Sequence, residues 1–129
     1  MNDIFSTNES DIAIIGFSYR FPGASDEQAF WNMLRDGVEA ISFFSDEEVA
    51  AAGVDAQLLK QPTYVKACGI LDDIEQFDLS FFGYSPREAA LMDPQHRLFL
   101  EETWKALEHA GYDASRFAGS IGLFAGARM

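Results

Sequence analysis

Little in this 129-residue chain is basic, and a single residue is cysteine. There are 9 Lys+Arg against 21 Asp+Glu, for a formal net charge of −12. The basic residues are scattered, so the chain lacks the clustered cations that displace counterions from phosphate, and a nucleic-acid binder is excluded. One cysteine, Cys68, rules out an internal disulfide framework and a Cys-rich zinc site, and a lone thiol fits a reducing compartment. Residues 1–10 contain no Lys or Arg and no long apolar run, so they do not read as a signal peptide. No apolar stretch approaches the roughly 20 residues needed to span a bilayer. The expectation is a cytoplasmic protein with no membrane partner.

Apolar and aromatic residues are plentiful. The chain is 48% hydrophobic and contains 12 Phe, which excludes a disordered chain despite the charge. A chain of this length can bury roughly two thirds of its unfolded surface. The acids are uneven: residues 1–60 hold 11 against 3 bases, residues 61–129 hold 10 against 6. This asymmetry reads as a solvated acidic surface.

Residues 1–10 read as a disordered lead. Asp11–Phe17 is a short apolar run closed by turn-formers, the pattern of a strand buried on both faces. Pro22 and Gly23 end it. Ser25 to Gln28 has capping-box spacing, which predicts a helix over about 26–36 with Ala29, Phe30, Met33 and Leu34 on one face, Trp31 flanking it and Gly37 at its end. Ser45 to Glu48 repeats the signature before a short helix stopped by Gly53. A further turn is expected over Asp55–Lys60. Tyr64–Leu71 reads as a strand or hairpin arm, turned by Asp72 and Asp73.

Phe77, Phe81 and Phe82 form an aromatic cluster expected to dock on an apolar surface. Ser85-Pro-Arg-Glu88 is the strongest helix start, with Ser at the N-cap, Pro at the first helical position and Glu at the third. Asp93-Pro94 restarts the pattern, and the second helix runs to about Ala110 and Gly111. Leu98, Phe99, Leu100, Trp104, Ala106 and Leu107 wrap more than half of it, so cover on several sides is expected. Ile121–Gly126 reads as a second buried strand. Two apolar strands separated by helices predict an α/β protein with a central parallel or mixed sheet.

No catalytic constellation emerges from the residues alone. Gly16 and Gly23 lack the dinucleotide-loop spacing, and the bulky residues between them would hold the backbone off a pyrophosphate. The terminal glycines Gly119, Gly122 and Gly126 suit close packing. His96 and His109 are 13 apart on one predicted helix and differ by roughly 220°, so they face nearly opposite ways. Cys68 has no neighbouring base to activate it. The acidic pairs Glu47-Glu48, Asp72-Asp73 and Glu101-Glu102 read as solvated, and the chain offers no convincing metal site.

The order of segments is more informative. Ile12-Ala-Ile-Ile-Gly16, Arg20-Phe-Pro-Gly23, Phe30-Trp31, Phe77-Asp78, Phe81-Phe-Gly-Tyr-Ser-Pro-Arg-Glu-Ala89, Met92-Asp-Pro-Gln-His-Arg-Leu98, Glu101 and Trp104-Lys-Ala-Leu-Glu108 follow one another. The series resembles the amino-terminal part of a β-ketoacyl synthase (ketosynthase) domain of a modular type I polyketide synthase, over residues 11–129. The resemblance implies a thiolase-like fold of α-β-α-β-α layers, of which this chain is an incomplete amino-terminal portion. It also implies a homodimer and an acyl carrier protein partner bearing phosphopantetheine, with no cofactor in this chain. The implied reaction is decarboxylative Claisen condensation of acyl thioesters with malonyl-type extenders.

No residue of this chain is assigned a catalytic, cofactor or metal role. The family's nucleophilic Cys and two His are expected beyond Met129. Cys68 stands where the family usually has the first Gly of a Gly-Gly pair, and His96 falls in a structural segment. Tyr19 and Tyr84 depart from common family choices and read as packing variants. Ser85, Pro86, Glu88, Asp93 and Pro94 read as architectural, and the functional alternative places Arg87, Gln95 or Arg97 on substrate. On this reading the 129 residues alone are inactive. The alternative is a short non-catalytic interaction or dimerisation module.

Overall fold

The computed structural model describes residues 11–126, so the lead expected over 1–10 lies outside the described residues. The elements follow in the order α1 (Glu27–Asp36), β1 (Ile41–Phe43), α2 (Asp46–Ala51), α3 (Ala56–Leu59), β2 (Ala67–Gly69), α4 (Pro86–Leu91) and α5 (Pro94–His109). The chain divides into two compact units. One is Tyr19–Leu91; the other, among the described residues, comprises 11–18 and 92–126.

The 19–91 unit opens with a tight turn. Phe21 and Ala24 exchange both backbone hydrogen bonds at 3.0 Å around Pro22 and Gly23. Gly23 takes φ of 71° there, a conformation glycine adopts at no steric cost. The rings of Tyr19, Phe21 and Phe30 gather beside it, with centroids 4.8–5.1 Å apart.

Helix α1 begins one residue later than the capping-box spacing predicts. Asp26, not Ser25, is the N-cap, and its carboxylate accepts from the Ala29 N–H at 2.8 Å. Both are good caps, and the acidic one complements the positive end of the helix. At the other end Gly37 donates to the Leu34 carbonyl and Val38 to the Met33 carbonyl, the Schellman arrangement.

Helix α2 carries the full capping box between Ser45 and Glu48. Strand β1 pairs with β2 in antiparallel register, Ser42 opposite Cys68 and Phe43 opposite Ala67. Gly69 lies under the ring of Pro22, where an added Cβ would sit 2.8 Å from Cγ. Arg20 donates to the Asp72 carbonyl and so ties the turn to the loop after β2. Asp73 takes φ of 55° in that loop. Asp78 then accepts from the Phe81 N–H at 3.0 Å and the Ser80 hydroxyl at 3.1 Å. This local loop sets Phe77 stacked on Phe82 at 5.0 Å, with Phe81 edge-on at 4.9 Å.

In the other unit α5 is the organising element. Asp93 caps it by accepting from the Gln95 N–H at 2.8 Å, with Pro94 in the first turn. Residues 11–18 pass along it without regular secondary structure. Gly16 meets the helix at Ala106 and Ala110. Tyr112 and Phe117 close edge-to-face at 5.4 Å beyond its end.

Three expectations need correction. Asp11–Phe17 and Ile121–Gly126 form no ladder: both are irregular and exposed, Ile12 and Phe124 at 95%. A strand exists only when a neighbour accepts from its N–H groups and donates to its C=O groups, and no such neighbour occurs among the described residues. The expected central parallel or mixed sheet is therefore not assembled, and β1–β2 is the only sheet among them. Helix α5 is not covered on several sides, since none of its residues is buried. The buried apolar residues among those described are Ala24, Val49 and Ala89. No helix among them is long and apolar enough to cross a membrane.

Candidate functional site

Each residue with chemical potential is placed in a structural setting. Cys68 sits on β2 with its side chain exposed, in a unit whose residues 19–91 include no histidine. A groove of about 300 Å³ runs past it, lined by Phe44, Val49, Val54, Tyr64 and Ile70. The ionisable Glu48 and Lys66 also line it, but Glu48 serves the α2 capping box and Lys66 pairs with Asp46.

His96 is exposed in the first turn of α5, and its backbone N–H donates to the Asp93 carbonyl at 3.0 Å. His109 occupies the last turn. Its Nδ1 lies 3.1 Å from the Phe17 N–H nitrogen and 3.0 Å from the Phe17 carbonyl oxygen. With Nδ1 unprotonated the ring accepts from the N–H; with a proton on Nδ1 it donates to the carbonyl. The two rings also meet edge-on at 4.5 Å.

The acidic pairs are not paired acid–base groups. Glu48 serves the α2 capping box, and Asp73 accepts from the Gln76 amide at 3.0 Å. Glu102 accepts from the Ser18 hydroxyl and, at 2.7 Å, from Lys105. No three His, Cys, Asp or Glu side chains group as metal ligands among the described residues.

The residues offered as substrate contacts behave structurally where a bond defines them. Arg97 donates to the Met92 carbonyl at 2.8 Å, closing the junction that precedes α5. The Gln95 backbone completes the Asp93 cap. Arg87 is exposed on α4. Ser85 and Glu88 bind reciprocally: Glu88 accepts from the Ser85 N–H at 2.9 Å and hydroxyl at 2.7 Å, while its own N–H donates to Ser85 Oγ at 3.3 Å. Those bonds, the hydroxyl first, hold the Glu88 carboxyl below its ordinary range. The Phe81 N–H and the Ser80 hydroxyl do the same for Asp78, and the Ser115 hydroxyl and N–H for Asp113. Carboxylates lowered in this way are turn and cap acceptors, not general acids.

Residue-by-residue reading missed one feature. A groove of about 470 Å³ lies between the irregular segments and α5, lined by Ile15, Gly16, Ala106, Leu107, Phe117 and Ile121 among others. Its walls are almost wholly apolar. The two apolar runs were its signal, but their docking against one side of α5 is a long-range arrangement that no local spacing encodes.

Comparison with known proteins places these elements. The family model "Beta-ketoacyl synthase, N-terminal domain" matches residues 9–129. A phenolphthiocerol/phthiocerol polyketide synthase protein of Mycobacterium tuberculosis is 50% identical over 119 residues, covering 92% of this chain and 8% of that protein. Polyketide synthase PksN of Bacillus subtilis is 45% identical over 106 residues, covering 82% and 2%. The ketosynthase from module 6 of the Bacillus subtilis bacillaene synthase superposes with a TM-score of 0.66 at 44% identity, over 80% of this chain and 17% of that one. Ketosynthase twelve of the Bacillus amyloliquefaciens bacillaene synthase gives 0.63 at 46%, over 74% and 17%. The chain thus spans less than a tenth of these curated relatives and about a sixth of the solved ketosynthases. Ketosynthase domains have the thiolase-like layered fold, and the chain carries its amino-terminal portion. The chain belongs to the β-ketoacyl synthase family, as the amino-terminal part of a polyketide synthase ketosynthase domain.

Proposed function

We propose that these 129 residues are the architectural opening of a ketosynthase that elongates or transfers acyl chains held on acyl carrier protein. In that reaction a cysteine thiolate takes the acyl group from a phosphopantetheine thioester and releases the carrier thiol. A malonyl-type extender then loses CO2, its carbanion attacks the enzyme thioester, and the cysteine leaves as thiolate. The cysteine and two histidines that perform these steps belong to sequence outside residues 1–129. The working enzyme is a cytoplasmic homodimer, and phosphopantetheine arrives on the carrier protein.

The supporting observation is the family match over residues 9–129, together with the structural occupation of the motif residues. Ser85, Glu88, Asp93 and Arg97 are engaged in capping and closing backbone groups. Cys68 is exposed on a two-stranded antiparallel sheet whose unit includes no histidine.

The test is a chimera in which this chain replaces the matched segment of the module 6 bacillaene ketosynthase. It is assayed for β-ketoacyl product on carrier protein. The chimera is expected to form product and the isolated 129-residue chain to form none. Product from the isolated chain would overturn the reading, as would a soluble, dimeric chimera that never becomes acylated.

A further inference from the structure

We draw no further inference here: the strongest candidate, the apolar groove of about 300 Å³ that passes Cys68 between α2 and β2, joins a lone exposed thiol to charged side chains already engaged in capping and ion pairing, and nothing in the structure shows what fills it.

Discussion

Gly16 lies so close to the backbone of Ala106 that any side chain on it would strike the carbonyl oxygen. An added Cβ would stand 2.6 Å from that oxygen and 2.8 Å from the Ala110 nitrogen. Both obstacles are main-chain atoms of a helix, so neither can swing aside. Gly16→Ala is expected to destabilise this unit by about 1–3 kcal/mol, the usual range for overpacking. Chemical unfolding followed by circular dichroism checks it, with Gly126→Ala as a substitution where nothing stands within 4 Å and the backbone is not left-handed.

The Phe21–Ala24 turn carries a similar constraint. A Cβ on Gly69 would meet the Pro22 ring at 2.8 Å, and a proline ring has little freedom to yield. Gly69→Val should therefore pry the Phe21–Ala24 turn from β2. Hydrogen exchange at the Phe44 N–H, which donates to the Lys66 carbonyl beside the strand pair, should quicken relative to α1. Unchanged protection would show that the contact does not constrain the turn.

Ser45 and Glu48 satisfy two orphan donors of α2 at once, at 3.2 and 2.8 Å. Ser45→Ala should cost about 1 kcal/mol. Ser45→Asp should restore most of it, because a carboxylate caps equally well. A substitution series by thermal melting separates the two.

Acid should loosen the chain at its turns. Asp78, Glu88 and Asp113 all have carboxyls held below their ordinary values by hydrogen bonds to the charged form. The unfolded chain therefore binds more protons near those values than the folded one does. The stabilisation is fully present above the ordinary carboxylate range and is lost as pH falls through the lowered folded values. Carbon-detected NMR titration of the three side chains should give midpoints below those of a denatured reference. Midpoints at or above that reference would refute the assignment.

Cys68 should behave as an ordinary exposed thiol. It faces solvent on β2, with no histidine anywhere in residues 19–91. In the chimera, Cys68→Ser should leave condensation within about twofold, a change of only ~0.4 kcal/mol in barrier. Loss of acyl loading would show that the thiol participates.

The helix ends were the most legible part of the sequence. Ser45, Ser85, Asp93 and Gly37 each act within a few residues of themselves, so local spacing suffices to place them. The Ser25–Asp26 choice shows the limit of that precision, since both residues can cap and only the angle at which the chain enters the helix decides. Strand β1 carried no signal of its own. Ile41–Phe43 pairs with Ala67–Gly69 across two intervening helices, and three residues are too few to show a period. Ile12–Gly16 failed in the opposite sense. Its composition states what the segment would be within a sheet, and composition cannot supply the neighbour. The family series located the chain where chemistry-bearing residues could not, because its motif residues hold backbone, and backbone requirements recur in order along a fold.

The exposed apolar run at Ile12–Phe17 also sets a condition on biosynthesis. In a ketosynthase domain with the length of the solved ones, this segment is made before the roughly five sixths of the domain that these residues do not cover. At typical synthesis rates that interval is on the order of tens of seconds. Throughout it, Ile12, Ile14 and Ile15 would sit in water on a helix that has already capped itself. A nascent chain in that state is a natural client for a hydrophobic-segment chaperone. The demand would end when later-made chain covers these side chains, not when the helices form.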